Sequence, residues 1–322
     1  MQKAIMTLVM LGLSAAAMAD ATINGSVGYR NDVTTVGTAE RSTKDRLKAE
    51  LIISSKVNDD VNAYIGARTG TVNSGWDDFG GSADLKKIGL NLAYVEYAAV
   101  QNVKVRLGKF SQPWATSSSL FFDKDVKPEG LALAYANKAT GVFANASSVT
   151  ITEGGATSDT SVTSVQAGLK RNVLGFAVTG AVGLQDYNNT GATQYSVQNA
   201  FLTVGSRVAH TPVSVFVDVI KNSKDNTKQD SGVAYGIKLG EAVEPTQWDV
   251  SYMYQKQDAQ AQYALWNDSD IAGATGGYKS DVFQANYVVA KNWKASGKYF
   301  NTLRGTSEEK YKRMQLDLMY TF

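Results

Sequence analysis

The chain has 322 residues with no cysteine and a single histidine, His210, which excludes a disulfide framework, a thiolate metal site and a multi-histidine centre. Its 32 Lys and Arg against 30 Asp and Glu leave a formal charge of +2, too even for nucleic acid to be the main partner. Only four prolines occur among many Gly, Ser, Thr, Asn and Tyr, a composition that favours strands and polar turns over helices.

The chain opens with a positive residue, Lys3, then an apolar run from Ala4 to Ala17, then Ala17-Met18-Ala19 in A-x-A spacing. Residues 1–19 therefore read as a secretory signal peptide cleaved after Ala19, with residues 20–322 as one mature domain. The run is shorter than the ~20 residues a membrane-spanning helix needs, and no later stretch is longer. A mature chain that enters a membrane must do so with strands.

Period-two alternation then recurs along the whole chain. Ile23, Val27 and Tyr29 alternate with Asn24, Ser26 and Arg30; Leu47, Ala49, Leu51 and Ile53 alternate with Arg46, Lys48 and Glu50. About sixteen segments follow from this pattern: 21–30, 45–57, 61–70, 85–98, 102–110, 129–137, 141–152, 160–170, 173–186, 194–208, 212–221, 231–240, 246–257, 279–290, 293–304 and 311–322. Their connections alternate in length. Asn58-Asp59-Asp60, Ala99-Val100-Gln101, Lys138-Ala139-Thr140, Arg171-Asn172 and Lys291-Asn292 are tight turns, whereas 31–44, 71–84, 111–128, 153–159, 222–230 and 258–278 are long and polar. The fold class expected is all-β: a transmembrane antiparallel β-barrel of about 16 strands with short periplasmic turns and long extracellular loops. A soluble sandwich or solenoid also alternates. It would bury its apolar face and leave no polar lumen, and it has no use for aromatics at strand ends such as Tyr29, Tyr97, Trp293, Tyr320 and Phe322, which suit interfacial girdles.

Two stretches carry a resemblance. The terminal "MQLDLMYTF" places Met314, Leu316, Leu318, Tyr320 and Phe322 at every second position and stops on an aromatic. It resembles the C-terminal assembly signal of Gram-negative outer-membrane proteins, which the barrel assembly machinery reads. "VRLGKFSQPWATSSSLFFDKDVKPEGLALAY", Val105 to Tyr135, resembles the segment of outer-membrane porins in which a long loop runs from an "LGK" strand end to a "PEG" element, and it looks most like the family described as "Putative porin". The resemblance implies a sixteen-stranded general-diffusion barrel in outer-membrane lipid and lipopolysaccharide, a homotrimer, and a third long loop, 111–128, that folds inward and narrows the pore. General porins set an acidic loop against an arginine ladder; here the loop mixes Asp123, Asp125 and Glu129 with Lys124 and Lys127.

On this reading the protein is a water-filled channel for passive diffusion of ions and small hydrophilic solutes, weakly anion-preferring, and not an enzyme. The pore candidates are Arg46, Lys48, Arg68, Lys104 and Arg106 on the wall, opposed to Asp123, Asp125 and Glu129, which together set up a transverse field. Pro113-Trp114 reads as an anchor for the loop rather than a solute platform. The loop Asp258 to Gly277 either caps the pore or meets a neighbouring subunit. No cofactor or metal is expected. A barrel lipase needs a base beside its serine, and His210 sits at a predicted periplasmic turn. A substrate-specific channel, an adhesin and a purely structural barrel share this pattern and stay open.

Overall fold

Strands that are apolar on one face and polar on the other, repeated without a break, bury their backbone groups in lipid only by closing into a ring. A computed structural model of the chain shows that ring. It describes residues 21–72, 74–80, 86–154, 158–191, 193–224, 227–272 and 277–322. The expected signal peptide, residues 1–19, lies outside the described residues.

Sixteen long strands make one antiparallel sheet: β1 Ala21–Val36, β2 Ser42–Lys56, β3 Val61–Thr69, β4 Ile88–Tyr97, β5 Val103–Lys109, β6 Glu129–Ala136, β7 Val142–Thr152, β8 Thr160–Val173, β9 Phe176–Asn188, β10 Ser196–Val208, β11 Thr211–Asn222, β12 Ser231–Gly240, β13 Trp248–Gln257, β14 Tyr278–Ala290, β15 Trp293–Arg304 and β16 Glu309–Thr321. Each pairs with the next, and β1 pairs with β16 from Ser26↔Thr321 to Val36↔Tyr311, which closes the barrel. A two-residue segment, Asp77–Asp78, adds to the upper edge of β2 at Arg46 and Leu47.

The alternation maps onto two surfaces. Val27, Leu51, Ile65, Leu107, Leu131, Val182, Leu202, Val217, Phe283, Leu316 and Leu318 are exposed on the outer wall, as a lipid-facing belt requires. Trp293, Tyr320 and Phe322 group at the short-turn end, their ring centroids 5.0 and 6.1 Å apart in succession. The terminal residue is part of the ladder: Phe322 N–H donates to the Gly25 carbonyl at 3.0 Å, and Gly25 N–H donates back at 2.9 Å. A bare aromatic end thus completes the last pairing with β1.

The sequence-derived boundaries move most in two places. β1 runs to Val36 rather than residue 30, because its polar second half continues the ladder with both β2 and β16 above the membrane belt. The turn expected at Arg171-Asn172 lies at Leu174-Gly175, where φ is +50° and +83°. Two successive positive φ values make the tight hairpin turn that suits strand twist, and glycine at its second position fits. Arg171 and Asn172 pair with Val178 and Ala177 instead.

The third long loop leaves the wall between two facing glycines. Gly108 pairs with Gly130, with φ of +124° and +154°. A Cβ on Gly108 would sit 2.2 Å from the Ala93 carbonyl oxygen, and one on Gly130 would sit 2.3 Å from that of Ser148. The glycines of the "LGK" and "PEG" elements therefore allow β4–β7 to stay paired while the chain turns inward. Gly108→Ala should destabilise the barrel by ~2 kcal/mol or more through backbone displacement. Gly175→Ala, with open space around it, should cost only ~1 kcal/mol of φ strain. The temperature at which the compact gel band is lost should fall much further in the first variant than in the second.

Candidate pore and its infolded loops

The loop of residues 110–128 crosses the lumen and is bonded to far strands along its length. Ala115 N–H donates to Gln166 Oε1 of β8 at 2.9 Å, and Gln166 Nε2 returns a bond to the Ala115 carbonyl at 2.8 Å. Ser118 Oγ donates to Asp218 Oδ2 of β11 at 2.8 Å, while Asn199 Nδ2 of β10 donates to Oδ1 of the same carboxylate at 2.6 Å. Leu120 packs toward Gly232 of β12 and Phe121 toward Gly183 of β9, sites where a side chain would fill the space. The loop then returns across β3, where Arg68 Nη1 donates to Asp125 Oδ1 at 3.0 Å.

A second long loop also turns inward. In residues 258–272, Trp266 and Ile271 are fully buried. Trp266 stacks on Trp114 at 5.9 Å and meets Phe122 edge-on at the same distance. The Trp266 carbonyl accepts from Asp123 N–H at 2.7 Å, Gln262 Nε2 donates to the Phe121 carbonyl, and Thr302 Oγ1 of β15 donates to the Ile271 carbonyl at 2.9 Å. Phe110, Trp114, Leu120, Phe121, Phe122, Val162, Tyr187, Val197, Ile220 and Trp266 form one apolar cluster inside the barrel. Burying each large ring favours the docked loops by ~2–3 kcal/mol. Trp114 is thus a packing anchor, as its sequence context suggests.

The wall left uncovered on the β16–β3 side is strongly charged. Asp32 of β1 accepts from Arg313 Nε and Nη2 at 2.8 and 2.6 Å and lies 3.2 Å from Arg46 Nη1. Asp317 of β16 accepts from Arg30 Nε and Nη2 at 2.7 and 2.8 Å. Two-pronged bonds of this kind fix guanidinium planes. Trp76 covers Arg30 from 4.3 Å. Asp270, on the second infolded loop, reaches Arg313 at 2.9 Å and Arg30 at 3.8 Å.

Of the residues singled out in the sequence, Arg46 and Arg68 join this wall and Asp125 meets it through Arg68. Lys48 lies beside them, 3.6 Å from Glu50. Lys104 and Arg106 do not face the loop acids: both bind Glu96 of β4, at 2.7 and 2.9 Å. Glu129 is placed elsewhere. Its register partner is Lys109, 3.2 Å away, and the pair follows Leu107 and Leu131 on the outward face. Asp123 faces the second loop rather than the basic wall. Its Oδ1 accepts from Asp125 N–H at 2.8 Å. Asp32, Glu96 and Asp270 were not singled out. Arg30 and Asp317 are paired only through closure of β1 on β16, which no local spacing reveals.

The seam between the loops is acidic. Burial, with the charges of Asp268, Asp125 and Asp270 nearby, pushes the Asp123 carboxyl up to about 7. Burial and the Asp270 charge also raise Asp268. Burial pushes Asp270 the same way, but Arg313, Arg30 and Lys298 outweigh it and hold that carboxyl below its ordinary value.

Residues 15–207, more than half of the chain, match the family described as "Putative porin". The chain belongs to that family: it is an outer-membrane β-barrel channel protein and not an enzyme. Solved structures share its fold at low identity. OprB of Pseudomonas putida is 9% identical over 95% of each chain with a TM-score of 0.66. OmpF of Salmonella typhi, in complex with daunomycin, is 13% identical over 94% of this chain and 97% of that one, at 0.62. OmpT of Vibrio cholerae, in its trimer form, is 12% identical over 94% and 100%, at 0.54. No protein of curated function matches the sequence.

The raised Asp123 value makes loop docking pH-dependent. Between its ordinary 3.8 and about 7 the carboxyl holds a proton in the docked state and loses it when exposed. Docking is therefore strongest at low pH and weakens as pH rises to about 7, then levels off. The melting temperature of wild-type protein should be lower at about pH 8 than at about pH 5, and Asp123→Asn should shrink that difference.

Proposed function

We propose that the protein is a passive channel for ions and small hydrophilic solutes, weakly anion-preferring, narrowed by the loop of residues 111–128. It works as a homotrimer in outer-membrane lipid and lipopolysaccharide. It is exported through a signal peptide cleaved after Ala19 and inserted by the barrel assembly machinery, which reads Met314, Leu316, Leu318, Tyr320 and Phe322. A sixteen-stranded barrel has a lumen wide enough for water, which is the basis of the channel reading.

The anion preference rests on how the inward charges pair. Arg30, Arg46, Arg68, Lys104, Arg106, Lys238 and Arg313 each sit against a carboxylate. Lys170 of β8 and Lys294 of β15 are on the inward face near the short-turn end, exposed and without an ion-pair partner among the described residues. An unpaired cation on the wall of a water-filled pore draws anions and repels cations, whereas a paired one contributes little field.

Single-channel recording in a planar bilayer under a salt gradient tests this reading. The expected result is stepwise conductance in triplets and a reversal potential on the anion side. Neutralising Lys170 and Lys294 to Gln should move that potential toward zero selectivity. A clear cation preference in the wild type would contradict the proposal.

A further inference from the structure

The segment 258–272 has the composition of an external loop, yet its apolar residues are spent inside the barrel. Trp266 and Ile271 are fully buried, the first against the third loop and the second against β14 and β15 beside Tyr278, Val282 and Phe300. The second anchor, Ile271, lies in the short helix Ser269–Ala272, which also holds Asp270. Asp268 Oδ1 accepts from Asp270 N–H at 2.9 Å and fixes the start of that turn. The turn delivers the Asp270 carboxylate to the basic wall.

That delivery settles the local charge. Arg30, Arg46 and Arg313 are three guanidiniums on adjacent strands, and the wall itself offers them two carboxylates, Asp32 and Asp317. Asp78 on the neighbouring segment is shared between Arg46 and Lys44 and cancels only the lysine. Asp270 is the third carboxylate and balances the three guanidiniums in number, with Lys298 facing it as a further cation. It also keeps contact with the lumen, at 26% side-chain exposure, whereas Asp32 is 6% exposed and Asp317 14%. A buried carboxylate bonded in two places is screened by its own arginine. Asp270 is paired as well, but removing it leaves one guanidinium charge unbalanced beside the lumen, where that charge acts on passing ions.

We propose that residues 258–272 form a second constriction element, docked on the third loop, and that Asp270 is a selectivity-determining residue which offsets the charge of the arginine wall. The inference rests on the channel reading above and assigns it a residue that the third loop does not supply. The third loop meets this wall through Asp125 and Arg68; the second loop reaches Arg30 and Arg313, where no residue of the third loop pairs.

Two measurements test it separately. In planar bilayers at about 0.1 M salt, Asp270→Asn should shift the reversal potential toward anions, with the anion-to-cation permeability ratio rising about twofold, as Coulomb's law with salt screening gives for one charge acting oppositely on the two ions through about 8 Å of water. An unchanged ratio in a conducting, folded variant would overturn the role of Asp270. The chain has no cysteine, so an Ile271→Cys variant carries a single thiol. In folded protein that thiol should react with a water-soluble maleimide far more slowly than the thiol of an Asn58→Cys variant at a short turn. Equal rates would overturn the docking whatever the conductance. Silence from folded wild-type protein would overturn the channel reading and the selectivity role with it, while the labelling rates would still decide where the loop sits.

Discussion

Everything in this molecule depends on satisfying backbone hydrogen bonds in a medium without water. A sheet edge left open in hydrocarbon costs several kcal/mol for each unpaired group, so the wall must close on itself. Closure is made by β1 against β16, and it extends to the terminal residue through the reciprocal bonds of Phe322 with Gly25. The same pairing brings Arg30 beside Asp317 and Thr34 beside Arg313, although these residues stand at opposite ends of the chain. The charged wall is a by-product of closing the ring.

Closure also creates a cavity lined by polar side chains, and the chain fills part of it from within. Two loops carry aromatic residues into the lumen and bury them against each other and against the few apolar inward positions of β7 to β11. The outcome is an inverted arrangement. The apolar belt faces lipid, the lumen holds a small apolar core, and the remaining arginines, aspartates and glutamines border the space left over. A porin-like channel with one side packed and the other charged is asymmetric by construction. The acidic seam between the loops adds a titrating element, because Asp123 is buried among other carboxylates rather than opposite arginine.

The fold was largely legible in the sequence because a two-residue period is a local signal. Sixteen alternating segments and the alternation of short and long connections predict the strands and their order, and the glycines of "LGK" and "PEG" mark where the third loop departs. Errors arose where local rules run out. The polar half of β1 looks like loop because polarity alone does not distinguish a rim strand from a coil. The turn near residue 174 was placed three residues early because Arg and Asn are common turn formers, while the positive φ values fall on Leu174 and Gly175. Site residues were harder still. Arg68 pairs with Asp125 and Arg46 lies on the same wall, but Glu129 follows its strand outward, and Lys104 and Arg106 are taken by Glu96 on the adjacent strand. Asp270 had no signal of its own: it is one acid in a loop whose inward course is decided by Trp266 and Ile271, contacts far apart in sequence.

In the proposed channel two loops, not one, occupy the lumen and set its free cross-section. The most direct measurement is the size of neutral polymer that enters the channel and lowers its single-channel conductance, compared between the wild type and a variant in which residues 259–276 are replaced by a short Gly-Ser turn. The variant is expected to admit distinctly larger polymers and to conduct more. An identical cut-off in both proteins, each folded and heat-modifiable, would contradict this arrangement and leave the third loop as the sole constriction.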